Sequence, residues 1–189
     1  LDTFTTTAKD LAINIAGYAQ IMTFPCISAY VGGDIVSGLL AIDSCDLKIP
    51  ALFLDIGTNG ELVLLLDGRM IATSTAAGPC FEGMTISSGM RASEGAIEQV
   101  RIGDEISMEI IGNGLPGGIC GSGLLDAVAE LIRVGLVNSR GRLQSKDGVG
   151  LPAKYQKYLF DKDGKRHFRL IDGISISQED IRQVQLSKA

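Results

Sequence analysis

Residues 51–75 constrain this chain more than any other stretch, because they hold three apolar runs separated by two turn clusters. Residues 51–55, Ala-Leu-Phe-Leu-Asp, read as a strand of the buried type. Gly57-Thr58-Asn59-Gly60 reads as a turn, and residues 61–66 as a second strand. Asp67-Gly68 is a hairpin signal, and residues 69–75 supply the third strand. Three antiparallel strands in such close succession begin a half-domain, and with the helices read below the chain is expected to be α/β.

The same stretch carries the first candidate for chemistry. A strand-turn-strand with glycines at 57 and 60 lets main-chain N–H groups converge on an anion with no side chain in the way. Thr58 and Asn59 can add a hydroxyl and an amide donor. Asp55, at the strand's end, is placed to hold a hydrated Mg²⁺ through water, and so to act catalytically in a phosphoryl-transfer site. The spacing is not that of a P-loop, since GxxxxGK[ST] does not occur and the turn runs into a strand. An ordinary hairpin, in which Asp, Asn and Gly are favoured anyway, competes evenly on these seven residues.

A second candidate is the glycine-rich run at Gly117-Gly118 and Gly121-Ser122-Gly123, which feeds a helix whose apolar positions Leu124, Leu125, Val128, Leu131 and Ile132 recur at helical spacing. A helix N-terminus offers unbonded N–H donors to an anion or ribose. Close helix–strand packing that only glycine permits is the equal alternative, and Ser122 also suits an N-cap. Glu82 is a third candidate, catalytic by orienting water or Mg²⁺, or else a helix-start residue. Arg91 can pair with phosphate, although a structural salt bridge is the simpler role.

Further elements follow the same logic. A strand is expected over residues 18–24, ending at Pro25, and a helix from Gly32-Gly33 to about Ile42. A short helix should start near Phe81, with strands near 96–102 and 105–111. Gly135 should stop the long helix. Residues 139–153 read as a polar surface insertion, followed by a hairpin around Asp161-Lys-Asp-Gly164. Ser177-Gln-Glu-Asp180 reads as an N-cap and first helical turn. The single histidine, His167, is expected on a surface strand.

Composition removes several function classes. The formal net charge of −5 at pH 7 argues against nucleic acid and against a polybasic membrane patch. No apolar run approaches the roughly 20 residues of a membrane span. Cys26, Cys45, Cys80 and Cys120 form no CxxC pair, so they read as reduced thiols of a cytoplasmic protein, with no iron–sulfur or zinc site in this piece. One histidine rules out a His dyad. Leu1 is not an initiator methionine and the last helix meets no glycine stop, so the chain is expected to be an excised piece.

DIGTNGE at 55–61, with ATSTAAGPCFEG, SSGMRA and GGICGSGLLDAV after it, resembles the reductive activators of corrinoid proteins. These are iron–sulfur proteins whose large C-terminal domain belongs to the acetate/sugar kinase, Hsc70 and actin superfamily. The resemblance runs from FPCISAYVGGDIVSGLLA near Pro25 to the end and is weakest over 139–175. It implies a ribonuclease-H-like, actin/hexokinase-type ATPase domain, of which this chain is mainly the second half, incomplete. Residues 1–46 would be the end of the first half and a crossover helix. Residues 47–189 would be the second half, with an insertion at about 139–175 and a truncated C-terminus. Gly57, Thr58, Asn59 and Gly60 would be the second phosphate turn, and the first turn and the adenosine loop would lie outside the chain.

The implied cofactors are ATP and Mg²⁺, with an iron–sulfur cluster in a domain absent from this chain. The implied partner is a corrinoid protein or corrinoid-dependent methyltransferase, and a homodimer is left open. Two other functions compete: an ATP-dependent activator of another low-potential redox enzyme, such as a dehydratase, and a non-catalytic interaction module with the same fold. The isolated piece is expected to be inactive, since half its site is missing.

Overall fold

The computed structural model describes residues 2–148 and 150–188, which divide into two compact units, residues 1–75 and 76–189. In the first unit, β1 (Thr5–Thr7) pairs antiparallel with β2 (Gln20–Met22). The strand expected over 18–24 is therefore present but is only three residues long. Helix α1 (Gly33–Ala41) follows the glycine pair as anticipated.

Three strands then form one sheet, β3 (Ala51–Ile56), β4 (Asn59–Leu66) and β5 (Arg69–Ala76), with β4 in the middle. β3 and β4 are antiparallel, with Phe53 opposite Val63 and Asp55 opposite Glu61. Side chains alternate between faces, so Ala51, Phe53, Val63 and Leu65 share one face. That face packs with Val31, Ile35 and Leu39 into a small core.

The other face corrects the expectation of a strand buried on both sides. Leu52, Leu54 and Ile56 are 55%, 51% and 58% exposed. A continuous apolar run normally marks a strand covered twice, but here α1 covers only one face of β3 within the unit.

The second unit begins with a 3-10 turn at Pro79–Glu82, earlier and tighter than the helix expected near Phe81 because Pro79 starts it. β6 (Ala96–Ile102) lies between β7 (Ile106–Ile110), antiparallel, and β8 (Gly118–Ile119), parallel. From β8 the chain enters α2 (Gly121–Arg133) directly. Gly135, at φ +75°, ends it: its N–H reaches the Ile132 carbonyl and the Leu136 N–H reaches the Leu131 carbonyl. This double closure needs a left-handed residue, which glycine provides without strain.

After α3 (Ala153–Gln156), β9 (Leu159–Lys162), β10 (Lys165–Ile171) and β11 (Ile174–Ser177) form the unit's other sheet, antiparallel throughout, with β10 in the middle. Helix α4 (Gln178–Lys188) follows at once. The stretch expected as a surface insertion, 139–153, contributes Leu143 to the core, α3 adds Tyr155, and the hairpin beyond adds Leu159, Phe168 and Leu170. They join Ile97, Val100, Leu124 and Leu131 in one apolar cluster.

His167 is on a strand but is not at the surface. It is 8% exposed because β10 has a strand on each side and α4 packed against it. Its ring stacks on Phe160 with centroids 5.2 Å apart, and its Nδ1 lies 3.1 Å from the Ser175 hydroxyl. Burial holds its pKa below the usual histidine value.

Candidate functional site

The sequence singled out two glycine-rich elements, and the structure places them in different units. In the first unit the turn is tighter than expected. Only Gly57 and Thr58 lie outside the strands, and the Gly57 N–H donates to the Asn59 carbonyl at 2.9 Å. Asn59 and Gly60 already belong to β4, with Gly60 opposite Ile56. The Gly57 amide is thus committed to the turn itself.

Asp55 and Glu61 are direct cross-strand neighbours, so both carboxylates lie on the sheet face that carries Phe53 and Val63, toward its end. The Ser74 hydroxyl on β5 donates to Glu61 Oε1 at 2.9 Å and fixes that carboxylate. Asp55 is exposed. No group of three or more His, Cys, Asp and Glu that could hold a metal occurs among the described residues. Two oxygen-bearing carboxylates fit Mg²⁺ held largely through water and a ligand's phosphates, and do not form an all-protein cage. All four cysteines are free, Cys26 and Cys45 exposed and Cys80 and Cys120 buried.

In the second unit, three elements meet at one cavity of about 410 Å³. The 3-10 turn supplies Phe81 and Glu82, the segment before β6 supplies Arg91, and the start of α2 supplies Cys120, Gly121 and Ser122. Close packing makes this meeting happen. A methyl group at Gly121 would overlap the Phe81 carbonyl, and one at Gly123 would overlap the Ile97 carbonyl of β6. Packing therefore accounts for both glycines, and it is the same packing that sets Glu82 beside the helix start. Gly121 and Ser122 border the cavity, whereas Gly123 is buried behind them.

Two expectations change here. The residue before the helix is Cys120, with extended backbone, so Ser122 is the second helical residue and not the cap. Its hydroxyl lies 3.2 Å from the Cys120 thiol. Arg91 makes no ion pair among the described residues and borders the cavity. The N–H groups of the first helical turn have no partner within the helix and carry the positive end of its dipole. Together with a guanidinium they make the cavity suited to a phosphate or carboxylate group.

What holds this wall in place has no signal in the local sequence. Asp180 is 2% exposed and accepts from the Ser87 N–H at 2.8 Å and the Ser87 hydroxyl at 3.2 Å. Its other oxygen accepts from the Ser177 N–H at 2.7 Å, while the Ser177 hydroxyl accepts from the Asp180 N–H at 3.1 Å. That reciprocal pair is the capping arrangement read from Ser177 to Asp180. The tie to Ser87, across 93 residues, left no local signal.

The RACo middle region matches residues 2–45. The corrinoid activation enzyme RamQ of Eubacterium limosum is 36% identical over 95% of this chain and 31% of its own length. The Co(II) methylated amine-specific corrinoid protein reductase of Methanosarcina barkeri is 30% identical over 90% of this chain and 37% of its own. A solved structure, a reductive activator for corrinoid, iron–sulfur protein, superposes with a TM-score of 0.83 at 32% identity, covering 95% of this chain and 29% of that one. The chain thus spans about a third of the length of the curated relatives it matches. Residues 50–189 match the family described as the C-terminal domain of RACo, the ASKHA domain, and the chain belongs to that family.

Proposed function

We propose that this chain is the nucleotide-responsive part of an iron–sulfur protein that drives reductive activation of a Co(II) corrinoid protein or corrinoid-dependent methyltransferase. The observation that carries the proposal is the convergence of Glu82, Arg91 and the α2 N-terminus on one cavity inside an ASKHA-family domain. The names of the relatives, all corrinoid activators or reductases, supply the substrate class.

Bound ATP with Mg²⁺ supplies the differential binding energy that shifts the domain between conformations, since a ligand moves only equilibria whose states it binds differently. Toward that ligand the cavity residues of the second unit divide the work. Gly121 and Ser122 present amides, Arg91 neutralises phosphate charge, and Glu82 orients water. Taken by itself, the first unit offers Asp55 to hold a hydrated Mg²⁺, with Thr58, Asn59 and Gly60 as its phosphate turn. The electron would come from a cluster outside this chain and pass to Co(II), giving Co(I). No helix among the described residues is long and apolar enough to cross a membrane. Four unpaired thiols support a cytoplasmic setting.

The test uses the full-length protein, reduced under anaerobic conditions and mixed with Co(II) corrinoid protein. Co(I) absorbance should rise only when ATP is added, and Arg91→Ala should slow that rise. Equal Co(I) formation with and without ATP would remove nucleotide from the account. Recovery of a dehydratase in place of a corrinoid protein on affinity capture would reassign the substrate.

A further inference from the structure

A second concave surface in the same unit lies away from this site and has the opposite electrostatic character to the chain as a whole. Arg140 and Arg142 from the loop after α2, Lys165 and Arg166 at the start of β10, and Arg182 on α4 border one cleft of about 530 Å³. Five of the 17 Lys and Arg residues thus face one cleft in a protein of net charge −5. The one carboxylate in its lining, Glu179, sits 3.7 Å from Lys165 in a largely solvated pair.

The cleft is built, and it does not depend on flexible side chains meeting by chance. The loop carrying the two arginines is closed by the Asn138 side chain, which accepts from the N–H groups of Arg140 and Arg142 at 3.0 Å each. It is then fastened to α4. Gln178 donates to the Gly141 carbonyl at 2.8 Å and accepts from the Leu143 N–H at 2.8 Å, and Gln185 donates to the Arg140 carbonyl. Arg166 spends one donor on the Leu143 carbonyl at 2.7 Å. The guanidinium groups of Arg140, Arg142 and Arg182 have no ion-pair or hydrogen-bond partner among the described residues. The loop's acceptors are consumed by its own scaffold, and three cationic forks are left presented.

We infer that this cleft is a docking site for a carboxylate-rich segment of a partner protein. Arginine forks match carboxylates in pairs, and a cationic cleft on an acidic body orients an acidic partner as it approaches. The lining holds no aromatic or aliphatic side chain, so a nucleoside or other organic body would find no apolar wall. The strongly acidic remainder disfavours a nucleic-acid strand. This inference stands apart from the proposed function, because it requires neither nucleotide nor corrinoid.

The test is fluorescence anisotropy with a labelled octaglutamate peptide at low salt, against the protein and two triple variants. Arg140→Ala/Arg142→Ala/Arg182→Ala should raise the dissociation constant about tenfold or more, and added salt should do the same. Lys9→Ala/Lys48→Ala/Lys157→Ala, which removes as much charge elsewhere, should change it less than about twofold. Equal weakening in both variants would overturn the docking site. Displacement of the peptide by equimolar inorganic phosphate would assign the cleft to a small anion instead, and tighter binding of an oligothymidylate of equal charge would assign it to nucleic acid. Circular dichroism should give the Arg140/Arg142/Arg182 variant the melting temperature of the unaltered protein, because those guanidinium groups have no bonding partner among the described residues.

Discussion

Asp180 accepts a hydrogen bond from the main-chain N–H of Ser87 at 2.8 Å, joining the first turn of α4 to the segment that leads to Arg91. The same carboxylate caps its own helix through Ser177. One buried side chain therefore fixes both a helix start and the approach to a cavity wall.

Asp180→Ala should lower unfolding free energy by about 2 kcal/mol, since it takes the acceptor from the buried Ser177 N–H and the part-buried Ser87 N–H and removes a cap. Urea denaturation measures the loss. Amide exchange at Ser87 should accelerate with it, and an unchanged Ser87 would show that the tie carries no energy.

Gly121→Ala should cost about 1–3 kcal/mol, because the new methyl must push the Phe81 carbonyl away. Ser122→Ala, at an exposed helical position, should stay within about 0.5 kcal/mol. Thermal melts of the pair separate packing from any ligand effect, since the serine variant keeps its amide and its stability, and a loss of phosphate binding in it belongs to the hydroxyl alone.

How much of this could be read from the chain depends on how local the cause was. The three-strand meander, α1, the Gly135 stop and the Ser177–Asp180 cap all follow from neighbours within a few residues, and all stand in the structure. β11 was missed although Asp172-Gly173 and the alternation Ile-Ser-Ile-Ser announce a hairpin. The exposure of Leu54 and the burial of His167 were misjudged for one shared reason. Which strand face is covered depends on elements far away in sequence, and neither apolar runs nor flanking charges encode it. The cavity was legible only as separate parts; its assembly rests on glycine contacts between distant segments.

Leu54→Asp should therefore change stability by less than about 1 kcal/mol, as expected where a side chain is half solvated. Val63→Asp, on the covered face, should cost several times as much, on the order of 3–5 kcal/mol, by burying an unpaired charge. Similar losses for the two would mean that the open face of β3 is covered in solution.

Glu130 is 7% exposed and takes donors from Arg133 and from the Ile102 N–H. The Arg133 hydrogen bonds, with help from the Ile102 amide, lower its pKa from 4.5 to about 2. A carboxylate with a depressed folded-state pKa stabilises the fold above its unfolded value. The contribution is complete above about pH 4.5 and fades as pH falls toward about 2. Because Arg133 is largely solvated, the effect should be about 2 kcal/mol or less. Glu130→Gln should flatten the stability curve over that window; an unaltered curve would place the acid sensitivity elsewhere.

Asp55→Asn should leave the melting temperature unchanged, because the side chain is exposed, yet abolish ATP turnover in the full-length protein. Retained turnover would leave the domain's conformational role intact and take the metal away from Asp55.

β8 is two residues long, and its pairing of Gly118 with Ala96 and Ile119 with Ile97 sets the point at which α2 begins. That short parallel contact works as a gauge block. Extra residues in the bend before it, around Asn113 to Pro116, would bulge outward and leave the first turn of α2 where it stands. One residue added between Ile119 and Gly121 would rotate the whole helix by about 100° and turn Ser122 away from Arg91.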